Sequence, residues 1–295
     1  IISLTRDEKI EITLKDQELY ITSGKSVTKI KGSVADEYPI IPRIEGGKLF
    51  SFSRIALKSA LAQVTPATAK SDIRPELAGV FCGFNVRGTT GLTLAATDSY
   101  RLAERRVPYD QGESDELRII LPGKTAQDIV RILAQSEEET VRWVIAENQI
   151  HVSTGGVDLL SRLIEGAYPD YTQIIPREFE TTVVIPTDIL SKEIKAAGLF
   201  TTTGVNAVQL EVDPDAGAVR LSSSSTQTGE YHSEIPANVT GKSVQIVLSH
   251  RYVLDGLNTI DTTGVVFNIV GPDSPCVVTP EGADVFRYIV MPILQ

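Results

Sequence analysis

Cysteine is scarce in this sequence of 295 residues, which has only Cys82 and Cys276. Each lies among apolar residues, and a disulfide framework needs more cysteines, so we expect buried free thiols in a reducing compartment. Long apolar runs are also lacking. No stretch approaches the roughly 20 residues of a membrane-spanning helix, and no basic-then-apolar leader opens the chain. The first residues, Ile1 to Thr5, include no initiator methionine, so the native protein is expected to continue upstream.

Aromatic residues make up only 6% of the chain, whereas 42% of residues are hydrophobic and 22% are charged. These proportions are typical of a soluble globular protein, and the length allows two or three domains. The formal net charge of −10 argues against nucleic-acid binding if the charge is evenly spread. The location of the charges therefore matters more than their sum.

Catalytic and metal-binding motifs are also lacking. There is no GxSxG elbow, and His151, His232 and His250 lie far apart without another ligand at metal-binding spacing. Asp98 is the one acid that resembles a catalyst, but its Thr-Asp-Ser context predicts an Asx turn between two strands. We expect no catalytic residue, no metal and no cofactor.

Three loop sequences resemble ligand-binding motifs incompletely. Asp213 to Gly217 begins like a calcium loop but lacks the downstream Glu, so a hairpin turn is predicted. Gly46-Gly47-Lys48 lacks the Ser or Thr and the earlier glycine of a phosphate-binding loop. Gly155-Gly156 has no following Lys-Ser/Thr pair. Both glycine pairs are predicted to form turns.

The chain repeats itself at long period. A Tyr-Pro pair followed by another proline closes the segments Tyr38 to Pro42 and Tyr168 to Pro176, and Tyr288 to Pro292 ends a third segment in a related way. The offset of about 130 residues is too long for a solenoid unit and suits a whole domain. Similar domains in series are therefore predicted.

Helical spacing of apolar residues interrupts the strand patterns in four places, near 53–64, 122–133, 186–197 and 249–260. A short β-rich segment precedes each helix, and several strands follow it. This order predicts two βαβββ halves in each full repeat, with two helices and about eight strands.

The domain boundaries follow from the repeat. Residues 1–47 match only the closing strands of such a domain, and they align with residues of about 140–178. Full domains are predicted at 48–178 and 179–295.

Charge is divided unevenly between helices and strands. The helices carry four acids and seven bases, a sum of +3, which leaves about −13 for the rest of the chain. The composition alone leaves three functions open: a protein with a basic helical layer that binds DNA, an acidic extracellular repeat protein such as an adhesin, and a strand-rich hydrolase that uses Asp98 with another acid. The seven bases of the helices are Arg54, Lys58, Lys124, Arg131, Lys192, Lys195 and Arg251.

Three motifs give a specific resemblance. LTLAATDSYRLAERRVP from Leu92, YPDYTQIIP from Tyr168 and YIVMPILQ from Tyr288 resemble, in this order, the β sliding-clamp family of bacterial DNA polymerase III. The resemblance covers the whole chain and leaves out the family's first 75 or so residues. It implies an α+β fold of tandem DNA-clamp domains, with helices lining a ring and strands outside. The implied protein is non-catalytic and cytoplasmic, and it encircles duplex DNA without reading sequence.

The resemblance also implies the contacts of the ring. Two full-length subunits would pair head to tail as a homodimer, through Thr28 and Ile30 on one side and Leu199 and Phe200 on the other. The residues expected to face DNA are Arg54, Lys58, Arg74, Lys124, Arg131, Lys192 and Lys195.

A peptide groove between the second and third domains is the third implied site. In the family, the replicative polymerase, the clamp loader and repair proteins insert a short extended peptide led by Gln, with Leu and Phe behind. Gln173 replaces a common Arg and Tyr100 a common His, so peptide preference is expected to differ. The implied lining is Leu77, Thr97, Tyr100, Arg101, Leu102, Pro169, Gln173, Ile174, Val205, Ser249, Tyr252, Pro275, Ile289, Met291, Pro292 and Ile293.

Overall fold

The chain packs as two compact units, residues 1–43 and residues 44–295. The structure is a computed structural model, and it describes residues 9–37, 44, 46–71 and 73–294. The first Tyr-Pro closure, at 38–42, lies outside these described residues.

Four α-helices and twenty β-strands are described, and all strand pairs are antiparallel. The helices are α1 (Arg54–Val64), α2 (Gly123–Gln135), α3 (Thr187–Gly198) and α4 (His250–Leu257). The strands up to the second helix pair are β1 (Glu11–Lys15), β2 (Glu18–Ser23), β3 (Ser26–Lys31), β4 (Lys48–Ser53), β5 (Gly79–Phe84), β6 (Leu92–Thr97), β7 (Arg101–Val107), β8 (Leu117–Pro122), β9 (Thr140–Ile145), β10 (Gln149–Thr154) and β11 (Val157–Arg162). The remaining strands are β12 (Thr181–Pro186), β13 (Ala207–Asp213), β14 (Ala218–Ser225), β15 (Gly229–Pro236), β16 (Asn238–Gly241), β17 (Val244–Ser249), β18 (Gly264–Ile269), β19 (Cys276–Pro280) and β20 (Phe286–Val290).

The first unit contains one three-stranded sheet in the order β1-β2-β3. Asp16, at a positive φ of 55°, lies in the turn between β1 and β2, a conformation that Asp tolerates better than most residues. The strand β3 is an end strand of this sheet.

The second unit shows the predicted order of elements. Residues 48–162 form β4-α1-β5-β6-β7 and then β8-α2-β9-β10-β11, which are two βαβββ halves. Residues 181–290 repeat this order around α3 and α4, with β16 as one short additional strand. The predicted α+β arrangement is thus confirmed.

A nine-stranded sheet runs through the second unit, in the order β16-β12-β18-β19-β20-β7-β6-β5-β8. The pairing of β20 with β7 joins its two parts, with Val290 opposite Arg101 and Phe286 opposite Arg105. The boundary at 178 falls within this unit. The division into domains at 48–178 and 179–295 stays a prediction.

The main core lies on the face of this sheet that carries the helices. Helix α1 packs against α2, and α3 against α4. In the first helix pair's core, Trp143 has no exposed surface, and its ring lies edge-on to Phe52 at 5.3 Å and to Phe84 at 6.4 Å. Such edge-to-face pairs stabilise a core beyond the simple burial of apolar area.

A second, smaller core covers part of the opposite face of the nine-stranded sheet, which we call the outer face. Strand residues alternate between faces, so Ala103 belongs to the main core whereas its neighbour Leu102 belongs to the smaller one. Tyr171, from the segment between β11 and β12, packs over this smaller core with Val277 and Ile289.

The two cysteines are predicted to be chemically inert in the folded protein. Both are free and fully buried, and burial raises the pKa of Cys276 to about 12 and that of Cys82 well above its ordinary value. Because the thiolate is the reactive form, a thiol reagent at pH 8 should modify neither residue in the native state. Titration in denaturant should release two thiols per chain. Rapid native labelling would contradict the burial.

Candidate functional site

A groove of about 750 Å³ opens where the two parts of the second unit meet, which are the repeats around residues 48–162 and 181–290. Its volume is in the range of ligand-binding clefts. Its wall combines the β6–β7 turn, the start of α4, the loop before β13 and the carboxyl-terminal tail. The lining residues are Ala69, Lys70, Ser71, Asp98, Tyr100, Arg101, Gly204, Val205, Asn206, Ser249, Arg251, Tyr252, Asp255 and Ile293.

Two stacked tyrosines form one side of the groove. The rings of Tyr100 and Tyr252 lie 6.2 Å apart at an interplanar angle of 17°. The predicted Asx turn positions Tyr100, because Oδ1 of Asp98 accepts hydrogen bonds from the backbone N–H groups of Tyr100 (3.0 Å) and Arg101 (3.1 Å). The structural role predicted for Asp98 is therefore confirmed.

A buried arginine joins the two parts of the second unit beneath these rings. The side chain of Arg101 is only 4% exposed, and its Nε donates to Oδ2 of Asp98 at 3.0 Å. Its Nη1 donates to the carboxylate of Asp255 on α4, and its guanidinium lies 4.6 Å from the ring centroid of Tyr252. One cation thus connects β7 to α4.

Burial and neighbouring groups act in opposite directions on the pKa of Arg101. Burial disfavours the charged guanidinium, but the Tyr288 hydroxyl and the two carboxylates outweigh it and raise the pKa of Arg101. Burial is also the main cause that raises the pKa of Tyr252. Arg101 therefore stays charged and Tyr252 neutral at physiological pH, so the groove presents a neutral phenol over a compensated ion cluster.

The carboxyl-terminal tail is held between the two parts by backbone hydrogen bonds. The N–H of Met291 donates to the carbonyl of Tyr100 at 2.9 Å, and the N–H of Ile293 donates to the carbonyl of Val247 at 2.8 Å. These bonds place Ile293 in the groove wall. They also account for an ordered, apolar tail.

The structure brings together six of the sixteen residues predicted for the groove. Val205 is half exposed and supplies apolar surface opposite the tyrosines. Two of the six, Arg101 and Ser249, are buried side chains at its floor. The six are Tyr100, Arg101, Val205, Ser249, Tyr252 and Ile293.

Four of the predicted residues are buried under the surface. Leu102 and Ile289 have no exposed area and face each other in the smaller core on the outer face, and their assignment to the peptide groove stays a prediction. Leu77 is 3% exposed, and the Thr97 hydroxyl donates to the carbonyl of Arg101 at 2.7 Å. Alternation along β7 places the Leu102 side chain on the opposite face of the sheet from the Arg101 side chain.

The remaining six predicted residues lie outside the wall of this cavity. Gln173 is exposed and donates to Oδ2 of Asp170 at 3.1 Å, and Ile174 beside it is 41% exposed. The others are half-buried at neighbouring positions of the interdomain segment, the loop before β19 and the tail: Pro169, Pro275, Met291 and Pro292.

Eight lining residues were not predicted to line the groove. Asp255 is the most consequential, because it pairs with Arg101 across 154 positions. No local sequence pattern predicts that Arg101 has an ion-pair partner so distant in sequence. The eight are Ala69, Lys70, Ser71, Asp98, Gly204, Asn206, Arg251 and Asp255.

The basic residues predicted to face DNA differ in whether a neighbouring group pairs with their charge. Arg54 caps α2, since it donates to the carbonyls of Glu138 (2.7 Å) and Leu133 (3.0 Å). Arg131 pairs with Asp128, Lys192 with Asp188 and Arg74 with Glu76. Of the lysines predicted to face DNA, Lys58, Lys124 and Lys195 have no ion-pair partner among the described residues, and the last two are exposed.

The four residues predicted for subunit pairing lie at or near accessible edges. Ile30 is 41% exposed and Thr28 half-buried on the end strand β3. In the second unit, Leu199 is 72% exposed after α3, and Phe200 stacks on Tyr231 of the end strand β15 at 6.0 Å.

Two of the three loops predicted to be turns do form turns, and Gly46 of the third lies in a bend. Oδ1 of Asp213 accepts from the N–H groups of Asp215 and Ala216, both at 3.1 Å, in the hairpin between β13 and β14. Gly155 and Gly156, with φ of 54° and 76°, turn the chain between β10 and β11. Among the described residues, no group of three His, Cys, Asp or Glu could hold a metal ion. No helix in the described part of the chain has the length and apolarity to cross a membrane.

Comparison with known proteins finds relatives and similar folds over nearly the whole chain. Residues 52–170 match the central domain of the DNA polymerase III beta subunit, and residues 172–294 match its C-terminal domain. The beta sliding clamp of Staphylococcus aureus is 32% identical over 289 residues, which cover 98% of this chain and 75% of that protein. Two solved structures share the fold over 100% of this chain. They are the sliding clamp of Bacillus subtilis (29% identity, TM-score 0.89, 77% of that chain) and the beta subunit of Thermotoga maritima (28%, 0.87, 78%).

Proposed function

Because the chain belongs to the β sliding-clamp family of DNA polymerase III, a family of non-catalytic processivity factors, we propose that it encircles duplex DNA and tethers its partners there. The carrying observation is the groove lined by Tyr100, Val205 and Tyr252, where the two matched domains meet. A protein bound in this groove stays near the primer end at high effective concentration. The place of action is the cytoplasm, at the replicating chromosome.

The groove suits a short extended peptide led by Gln, with Leu and Phe behind. Val205, Ile293 and the tyrosine rings offer apolar surface for the Leu and Phe side chains. The carboxylates of Asp98 and Asp255 are already engaged by Arg101, so they repel an incoming peptide less than free carboxylates would. Replicative polymerase, clamp loader and repair proteins are the proposed carriers of such peptides.

Ring closure is proposed to use two chains that pair head to tail. The end strand β3, with Thr28 and Ile30, would lie against the partner's edge near Leu199, Phe200 and β15. Support comes from the accessible apolar side chains at both edges. Main-chain groups on end strands are available for such pairing.

The helices are proposed to face the DNA, with Lys124 and Lys195 as phosphate contacts. Contacts to phosphates alone let a ring slide, whereas base contacts would stop it. Replacing both lysines with glutamate should lower the affinity for a short linear duplex and reduce the slope of log K against log salt by about 2. Fluorescence anisotropy over a salt series measures both quantities.

The control for this experiment is Arg142→Glu/Arg162→Glu, which changes net charge equally. Both arginines are exposed on β9 and β11, which belong to a four-stranded sheet in the order β11-β10-β9-β4. This variant should retain the unmodified salt slope. An equal loss in both variants would show that net charge, rather than the helical face, governs DNA binding.

A further inference from the structure

A second cavity, of about 550 Å³, lies on the outer face of the nine-stranded sheet. Glu104 and Arg106 of β7 and Arg287 of β20 form its floor, and the segment after Tyr171 forms one side. Residues 102, 104 and 106 share this face, whereas Ala103 faces the helices. The cavity therefore opens away from the helices and is separate from the groove.

Four arginines and two acids line this outer cavity, which gives a local charge of +2 (4 − 2) in a chain of −10. A basic cavity on a strand layer that is acidic in sum attracts an anionic ligand. Guanidinium groups are the side chains best suited to bind carboxylates, because their planar fork matches the two oxygens. The six charged residues are Arg87, Arg106, Arg177, Arg287, Glu104 and Asp284.

Only part of this positive charge is used within the protein. The side chain of Glu104 is 6% exposed and serves both Arg87 and Arg287, each at 3.6 Å. Its Oε2 also accepts from the Tyr171 hydroxyl at 2.7 Å, which fixes the carboxylate in place. Arg106 and Arg177 are exposed and have no ion-pair partner among the described residues. These two guanidiniums are available to a ligand.

The rest of the wall fits a peptide better than a nucleic acid. Phe179 is 37% exposed, and Ile175, Pro176 and Val277 add apolar surface. Single-stranded nucleic acids require several aromatic platforms and a continuous basic track. Here one aromatic ring is present, and Glu104 interrupts the arginines. A peptide that has an apolar side chain between two carboxylates matches this alternation of arginines and apolar wall residues.

We propose that the outer cavity binds an acidic, extended segment of a partner protein, with Arg106 and Arg177 pairing its carboxylates and Phe179 contacting an apolar side chain between them. This surface would let a partner held in the groove make a second contact on the outside of the same chain. Two linked contacts bind more tightly than either alone.

The test uses a fluorescein-labelled peptide, Asp-Glu-Phe-Asp-Glu, and its uncharged analogue, Asn-Gln-Phe-Asn-Gln. Arg106→Glu/Arg177→Glu should weaken binding of the acidic peptide by about tenfold or more, because it converts two attractions into repulsions. The charge-matched variant Arg142→Glu/Arg162→Glu should bind within about twofold of the unmodified protein. Thermal unfolding checks that each variant folds. Arg106→Gln/Arg177→Gln replaces Arg106→Glu/Arg177→Glu if the latter does not fold.

Four results would overturn the proposal. The first is equal weakening in both glutamate variants, which would indicate general attraction of charge. The second is equal binding of the uncharged peptide. The third is loss of binding in a Val205→Asp variant, which would place the peptide in the groove. The fourth is an oligothymidylate of equal charge that binds through Arg106 and Arg177 while the peptide does not.

Discussion

Replacing Val205 with aspartate is expected to weaken binding of a Gln-Leu-Phe-type peptide by about 30-fold or more, a loss of roughly 2 kcal/mol. The substitution puts a carboxylate on apolar wall, where the peptide would have to bury it without a partner. The buried cation of the groove, Arg101, is already engaged by Asp98 and Asp255. Fluorescence anisotropy with the labelled peptide measures the change.

The fold should tolerate this substitution, because the Val205 side chain is 51% exposed. Val157, which is 44% exposed at the start of β11, provides the matched control. Val157→Asp should bind the peptide like the unmodified protein. Equal peptide affinity of Val205→Asp and Val157→Asp would show that the peptide does not bind in the groove.

Replacing Arg101 with alanine is expected to destabilise the second unit by about 3 kcal/mol. The change leaves the Asp98 carboxylate, which is 14% exposed, without its counter-charge and removes the connection to Asp255 on α4. It also removes the cation that lies over the Tyr252 ring. The urea midpoint, followed by fluorescence of the single tryptophan, Trp143, measures the loss.

Two further variants show whether the uncompensated carboxylate is the cause. Adding Asp98→Asn to Arg101→Ala should restore part of the stability, because the double variant buries no unpaired charge. Arg220→Ala removes an arginine that bridges three carboxylates but is 42% exposed, and it should leave the midpoint nearly unchanged. Equal loss in Arg101→Ala and Arg220→Ala would refute the importance of burial.

Local patterns were sufficient to predict the elements of the fold. The helical spacing near 53–64 predicted α1, and Leu57, Leu61 and Val64 are fully buried as the pattern requires. Ile55 fits the run of apolar residues but not its face, and it is 67% exposed. A helix advances 100° per residue, so Ile55 points away from Leu57.

The functional surfaces were only partly predictable, because distant pairings build them. The resemblance placed Tyr100, Val205 and Tyr252 in one groove, and the structure brings them together. The link from Arg101 to Asp255 depends on how α4 packs against β7, which no local spacing encodes. The cluster of four arginines in the outer cavity could likewise not be predicted from the sequence, because the four come from separate segments.

Hydrogen–deuterium exchange with and without a Gln-Leu-Phe-type peptide tests the partner groove most directly, because it reports both binding and place. The peptide should slow exchange in segments 98–101, 204–206, 249–255 and 291–294, which form the groove wall and the adjoining tail. Exchange in β9 and β11, which belong to the four-stranded sheet β11-β10-β9-β4, should be unaffected. Saturable binding that protects these segments would support a clamp that holds its partners in this groove. Protection confined to other parts of a folded chain, or no binding at all, would contradict it.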